Sequence, residues 1–99
     1  MIDDYTRHLG VLTLALHFPM AQSLKEKRMI LKSFKGRLLS RFEISLAEIG
    51  GQDKWQVATV AAAMISNDQK IVDSTFQNIL SFTESFGNLE LCEHAIEYY

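Results

Sequence analysis

The 99-residue chain has one cysteine, one proline and five glycines, and no apolar run long enough to cross a bilayer. A single thiol, Cys92, excludes an internal disulfide and a zinc site built on several thiolates. One thiol also fits the reducing cytoplasm, the expected location. With Pro19 alone, no Ser/Gly-rich stretch and no repeat, the sequence offers no linker. One domain over residues 1–99 is expected, with residues 1–7 read as a flexible tail. The opening Met1-Ile2-Asp3-Asp4 lacks the basic flank of a secretory signal, so none is expected. No Gly-rich phosphate loop, G-x-S-x-G elbow or H-E-x-x-H helix occurs.

What is present is ordinary in bulk: 47% hydrophobic residues, 22% charged residues and a formal net charge of −2. From His8 to Phe18 apolar and small residues alternate without a charge from Leu9 onward, which predicts a central strand ended by Pro19. Ser23 stands three residues before Glu26 as a capping box, opening a helix from Leu24 to about Phe42. Its expected buried arc is Leu24, Ile30, Leu31, Phe34, Leu38 and Phe42. Glu43–Ile49 reads as a second strand, Gly50–Asp53 as a turn, and the uncharged run Trp55–Ser66 as another central strand. A second capping box from Ser66 to Gln69 opens a second helix whose apolar stripe is Ile71, Val72, Phe76, Ile79 and Phe82 or Thr83, stopping near Gly87-Asn88. Leu89–Tyr98 closes the chain as a strand bearing Glu90, Glu93 and Glu97.

The order is β-α-β-β-α-β, which suits an α+β, ferredoxin-like two-layer sandwich with both helices on one sheet face. Edge strands use charge to block edge-to-edge pairing, so the two uncharged strands belong in the middle. That predicts an antiparallel sheet ordered 4-1-3-2.

Charge is uneven along the chain. Seven of ten basic residues, Lys25, Lys27, Arg28, Lys32, Lys35, Arg37 and Arg41, fall in the first helix. Residues 23–41 carry +6, residues 1–22 carry −1 and residues 42–99 carry −7. At about 100° per residue, Lys25, Arg28, Lys32 and Lys35 share a sector of about 80°, with Arg37 and Arg41 on the other flank. Lys and Arg are good helix formers, and a solvated face explains such a run equally well. Yet Lys25, Lys27 and Arg28 oppose the positive end of the helix dipole, a conflict that a bound anion resolves. All seven are therefore candidate phosphate contacts.

Other candidates fare worse. His8, His17 and His94 make no ligand spacing, and Cys92 with His94 lacks a third ligand, so no metal or cofactor is expected. The loop Phe18–Ser23 lacks the Gly-rich cradle of an acylphosphatase, so an enzyme acting on acylphosphates or other small molecules is disfavoured. The sheet positions Val11, Thr13, Ala15 and His17, with Val57, Thr59, Ala61 and Ala63, should lie on the open face. None is aromatic, which disfavours base stacking of the RNA-recognition-module kind. Such a flat, small, semi-apolar face fits a homodimer through the face or an edge strand, with Trp55 as a core residue or an interface anchor and Tyr98-Tyr99 as candidate cover for the interface.

The runs Gln22-Ser23-Leu24-Lys25-Glu26-Lys27-Arg28, Gln52-Asp53-Lys54-Trp55-Gln56 and Ile65-Ser66-Asn67-Asp68, with Gly10-Val11-Leu12, resemble the YlxP-like family of small bacterial proteins of unknown function. The resemblance covers about residues 8–90 and departs at the acidic, aromatic end from Cys92 to Tyr99. It implies a ferredoxin-like fold, and no catalytic residues. In many bacteria the family's gene lies among genes for transcription termination, translation initiation and ribosome maturation, which implies work near RNA or the ribosome. The expected function is a non-catalytic, RNA- or ribosome-contacting accessory protein. The alternative is a dimeric protein-interaction module.

Overall fold

The computed structural model describes residues 1–99 and contains six elements: β1 (His8–His17), α1 (Leu24–Arg41), β2 (Ser45–Gly50), β3 (Val57–Ser66), α2 (Gln69–Ser85) and β4 (Glu90–Tyr98). All strand pairs are antiparallel and the sheet order is β2-β3-β1-β4, the expected 4-1-3-2 order read from the other edge. The uncharged strands β1 and β3 are central and share ten paired positions from His8–Ser66 to His17–Val57. The fold is thus the ferredoxin-like α+β sandwich.

Alternation in the strands builds one side of the core. Leu12, Leu14 and Leu16 on β1, with Ala58, Val60 and Ala62 on β3, are buried. Leu31, Phe34 and Leu38 of α1 close over them, joined by Val72, Phe76 and Ile79 of α2. Gly10 allows α2 to come close: a Cβ there would lie 2.8 Å from Cε2 of Phe76 and 3.0 Å from Cγ1 of Val72.

Several boundaries differ from expectation. β2 starts at Ser45 rather than Glu43, because Phe42 and Ile44 turn inward to pack on the core before pairing begins. β3 starts at Val57 rather than Trp55, with one further rung of its pairing to β1, from the Phe18 N–H to the Gln56 carbonyl at 2.8 Å, just before it. Asp68, not Ser66, caps α2: its carboxylate accepts from the Lys70 N–H at 2.9 Å, while the Ser66 hydroxyl takes the Asp68 N–H. The expected buried arc of α1 is also corrected. Lys27, Leu31, Phe34 and Leu38 are its buried residues, whereas Leu24, Ile30 and Phe42 are half-buried.

Candidate nucleic-acid interface

The start of α1 forms as the capping box requires. The Ser23 hydroxyl accepts from the Glu26 N–H at 3.1 Å, and the Glu26 carboxylate accepts from the Gln22 N–H. Glu26 is therefore committed to the cap and forms no ion pair with the cations further along.

Lys27 is not a phosphate contact, which corrects its place among the candidates. It is fully buried, and its ammonium donates to the Gly51 carbonyl at 2.7 Å, the Val57 carbonyl at 3.0 Å and the Glu48 carboxylate at 3.3 Å. An ammonium has three protons, and here each has an acceptor. Glu48 is turned to the helix side of β2, opposite core-facing Val60, so this edge-strand carboxylate serves the interior. Gly51 sits at φ +76°, which favours glycine, and a Cβ there would come within 3.0 Å of the Val57 carbonyl that Lys27 uses. Lys27 thus pins α1 to both ends of the β2–β3 connection, and Gln56 adds a side-chain bond to the Ala21 carbonyl at 3.4 Å. The signal was in the spacing: 27, 31, 34 and 38 make one helical line.

The other six cations divide between two flanks. Lys25, Arg28 and Lys32 are exposed and Lys35 is half-buried. Arg28, Lys32 and Lys35 border a shallow hollow of about 530 Å³ on the β2 side, whose wall includes Leu39 and Glu48. Arg37 and Arg41, both exposed, face α2 instead. The Arg37 guanidinium lies 5.5 Å from the Phe86 ring centre and that of Arg41 lies 4.7 Å from Phe82. Lys27–Glu48 is the one pairing of a lysine or arginine with a carboxylate, so none of these six has a carboxylate partner.

Phe82 and Phe86, one helical turn apart, are the site residues that sequence reasoning missed. They face Arg37 and Arg41, also one turn apart, but α2 shows only an apolar stripe until α1 is laid beside it.

The opposite surface is the open sheet. Val11, Thr13 and Ala15 on β1 and Thr59, Ala61 and Ala63 on β3 alternate with core residues and lie on the face without helices. Val57 and Ile65 extend that face and are exposed, and Glu93 and Glu97 of β4 border it beside Ala15 and Val11. Tyr98 lies on the helix side, where its hydroxyl donates to the Asp73 carboxylate of α2.

The family model described as "Protein of unknown function (DUF503)" matches residues 9–96. A relative described as "Uncharacterized protein YlxP", from Bacillus subtilis (strain 168), is 39% identical over 70 residues, which span 71% of this chain and 76% of the relative. Among solved structures, "De novo designed protein Foldit4" aligns with a TM-score of 0.54 at 10% identity, covering 94% of this chain and 96% of that one. That last similarity concerns fold alone.

Proposed function

Because the chain belongs to the YlxP-like DUF503 family, whose function is unknown, we propose from its geometry that it is a non-catalytic, cytoplasmic accessory protein that contacts RNA or the ribosome through α1. The carrying observation is that six cations on one helix, Lys25, Arg28, Lys32, Lys35, Arg37 and Arg41, all lack carboxylate partners. Exposed cations of a structural helix usually gain small stabilisation from nearby carboxylates. Here the acidic residues of that region, Glu26 and Glu48, are taken by the helix cap and by Lys27, leaving a field that suits the regularly spaced charges of a phosphate backbone. Such contacts position a protein on RNA without reading its sequence.

Single-stranded RNA binding should weaken steeply with salt, with a log–log slope near −4 if all six cations contact phosphates at about −0.7 each. The Lys25/Arg28/Lys32/Lys35→Glu variant should lose ribosome and RNA binding. Parent-like binding by that variant, once its folding is verified by circular dichroism, overturns the assignment.

A second reading is favoured by the uncovered sheet face: a homodimer through Val11, Thr13, Ala15, Thr59, Ala61 and Ala63. It is compatible with the first, since α1 lies on the opposite side.

A further inference from the structure

We infer that the cleft between α1 and the C-terminal end of α2 is a nucleotide subsite, with Arg37 and Arg41 holding the phosphate of an unpaired RNA nucleotide. This rests on the RNA reading above and deepens it, dividing the basic helix into a built pocket and a diffuse ridge.

The two arginines are placed differently from the lysines. Each guanidinium lies over a phenylalanine, Arg37 on Phe86 and Arg41 on Phe82. No carboxylate pairs with either guanidinium, which leaves its in-plane N–H edge, the edge that takes phosphate oxygens in pairs, free. The rings themselves are anchored. Phe86 meets the fully buried Phe34 edge-on at 5.3 Å between centres, and Phe82 lies 5.8 Å from Phe86. Arg37 and Arg41 are one turn apart on the same line of α1, close enough to converge on one phosphate.

The cleft has the size and lining for the rest of a nucleotide. It is an open cleft of about 630 Å³, room for a nucleotide lying against the surface rather than sealed inside it. Ser33, Ser85 and Asn88 supply hydroxyl and amide groups suited to a ribose, and Met29 with Ile30 forms an apolar end against which a base can lie. A second hollow, of about 560 Å³, continues past Arg41 and gives the strand an exit. Neither wall contains a carboxylate, although the chain as a whole is acidic. The hollow on the lysine flank does contain one, Glu48.

The competing role for Arg37 and Arg41 is to offset the negative C-terminal ends of the helices, which lysine performs as well as arginine. A charge-conserving substitution therefore separates the two. The 15N-labelled full-length chain is titrated with AMP and, in parallel, with inorganic phosphate, while a short single-stranded oligoadenylate is followed by fluorescence anisotropy.

AMP should shift and saturate the backbone signals of Ser33, Ser85, Phe86 and Asn88, with inorganic phosphate much weaker. The Arg37→Lys/Arg41→Lys variant, shown to be folded by the same spectrum, should bind AMP about tenfold more weakly. Equal AMP binding by that variant, shifts confined to the Lys25–Lys35 ridge, or inorganic phosphate matching AMP each overturns the subsite. Oligoadenylate binding without any AMP shift overturns the subsite and leaves the RNA reading standing. Loss of both signals in the parent protein overturns both.

Discussion

Lys27 shows how one residue's role is set by what lies far away in sequence. Its position on the line of Leu31, Phe34 and Leu38 was visible, but lysine is almost never fully buried unless paired. Its partners, Glu48 and the Gly51 and Val57 carbonyls, come from the β2–β3 connection. The apparent conflict with the α1 dipole is thereby eased at this residue, leaving Lys25 and Arg28 as the cations that oppose it. Lys27→Ala leaves Glu48 and two carbonyls without their donor, and should cost about 3 kcal/mol of stability in urea unfolding. RNA binding by the folded fraction should keep the parent's salt slope. A slope shallower by about one phosphate contact would show that Lys27 is a contact after all.

At the scale of elements, most of the fold was legible because alternation and helical periodicity are local. The sheet order followed from where charge was absent, and the structure has that order. The reason was partly different from the one expected, since Glu43 precedes β2 and Glu48 points inward to Lys27 rather than guarding the edge. For the site, simple helical angles separated Arg37 and Arg41 from the lysines. The rings that receive them were not legible, because nothing in α1 reports the facing positions of α2.

The docking of β4 onto α2 was equally hidden, since nothing near Tyr98 in the sequence reports that Asp73, 25 residues away, faces it. Its hydrogen bond to the Asp73 carboxylate raises the Tyr98 pKa, and the same bond, helped by Gln69, lowers that of Asp73. The signs follow from linkage. A raised tyrosine pKa stabilises the fold below its ordinary value of about 10 and is lost as pH rises through the folded value. A lowered aspartate pKa stabilises above its ordinary value of about 4 and is lost as pH falls through the folded value. Tyr98→Phe should therefore lower the melting temperature most between about pH 5 and pH 9, with the two proteins converging at both extremes. An equal deficit at every pH, measured by thermal circular dichroism, would mean that packing rather than this bond holds β4.

For the whole molecule, the net charge of −2 conceals a separation between α1 and the rest of the chain. With Lys27 and Glu48 paired, the α1 segment retains an excess of five positive charges and the remainder an excess of seven negative ones. Glu93 and Glu97 border the open sheet, so a polyanion is drawn to the helical side and repelled from the sheet. The same division makes the two readings of function mutually supportive. A dimer joined through its sheets would carry one α1 on each outer side, and a ribosomal RNA long enough to reach both would gain avidity without any new contact.

Ala61 tests this directly, because it sits near the centre of the sheet face between Thr13 and Ala47. Ala61→Lys places a charge there, pointing away from the core, so each chain should keep its fold and lose only the concentration-dependent stabilisation that dimerisation adds. In sedimentation the parent should run near twice its 11.3 kDa chain mass and the variant as a single chain. AMP affinity should be unchanged, since the α1–α2 cleft lies on the other layer, while affinity for long RNA should drop with the loss of the second helix. A parent that remains a single chain at high micromolar concentration rules out the sheet-to-sheet dimer. Every RNA contact must then come from one copy of α1, and the salt slope near −4 becomes the most that any RNA, however long, can show per bound protein.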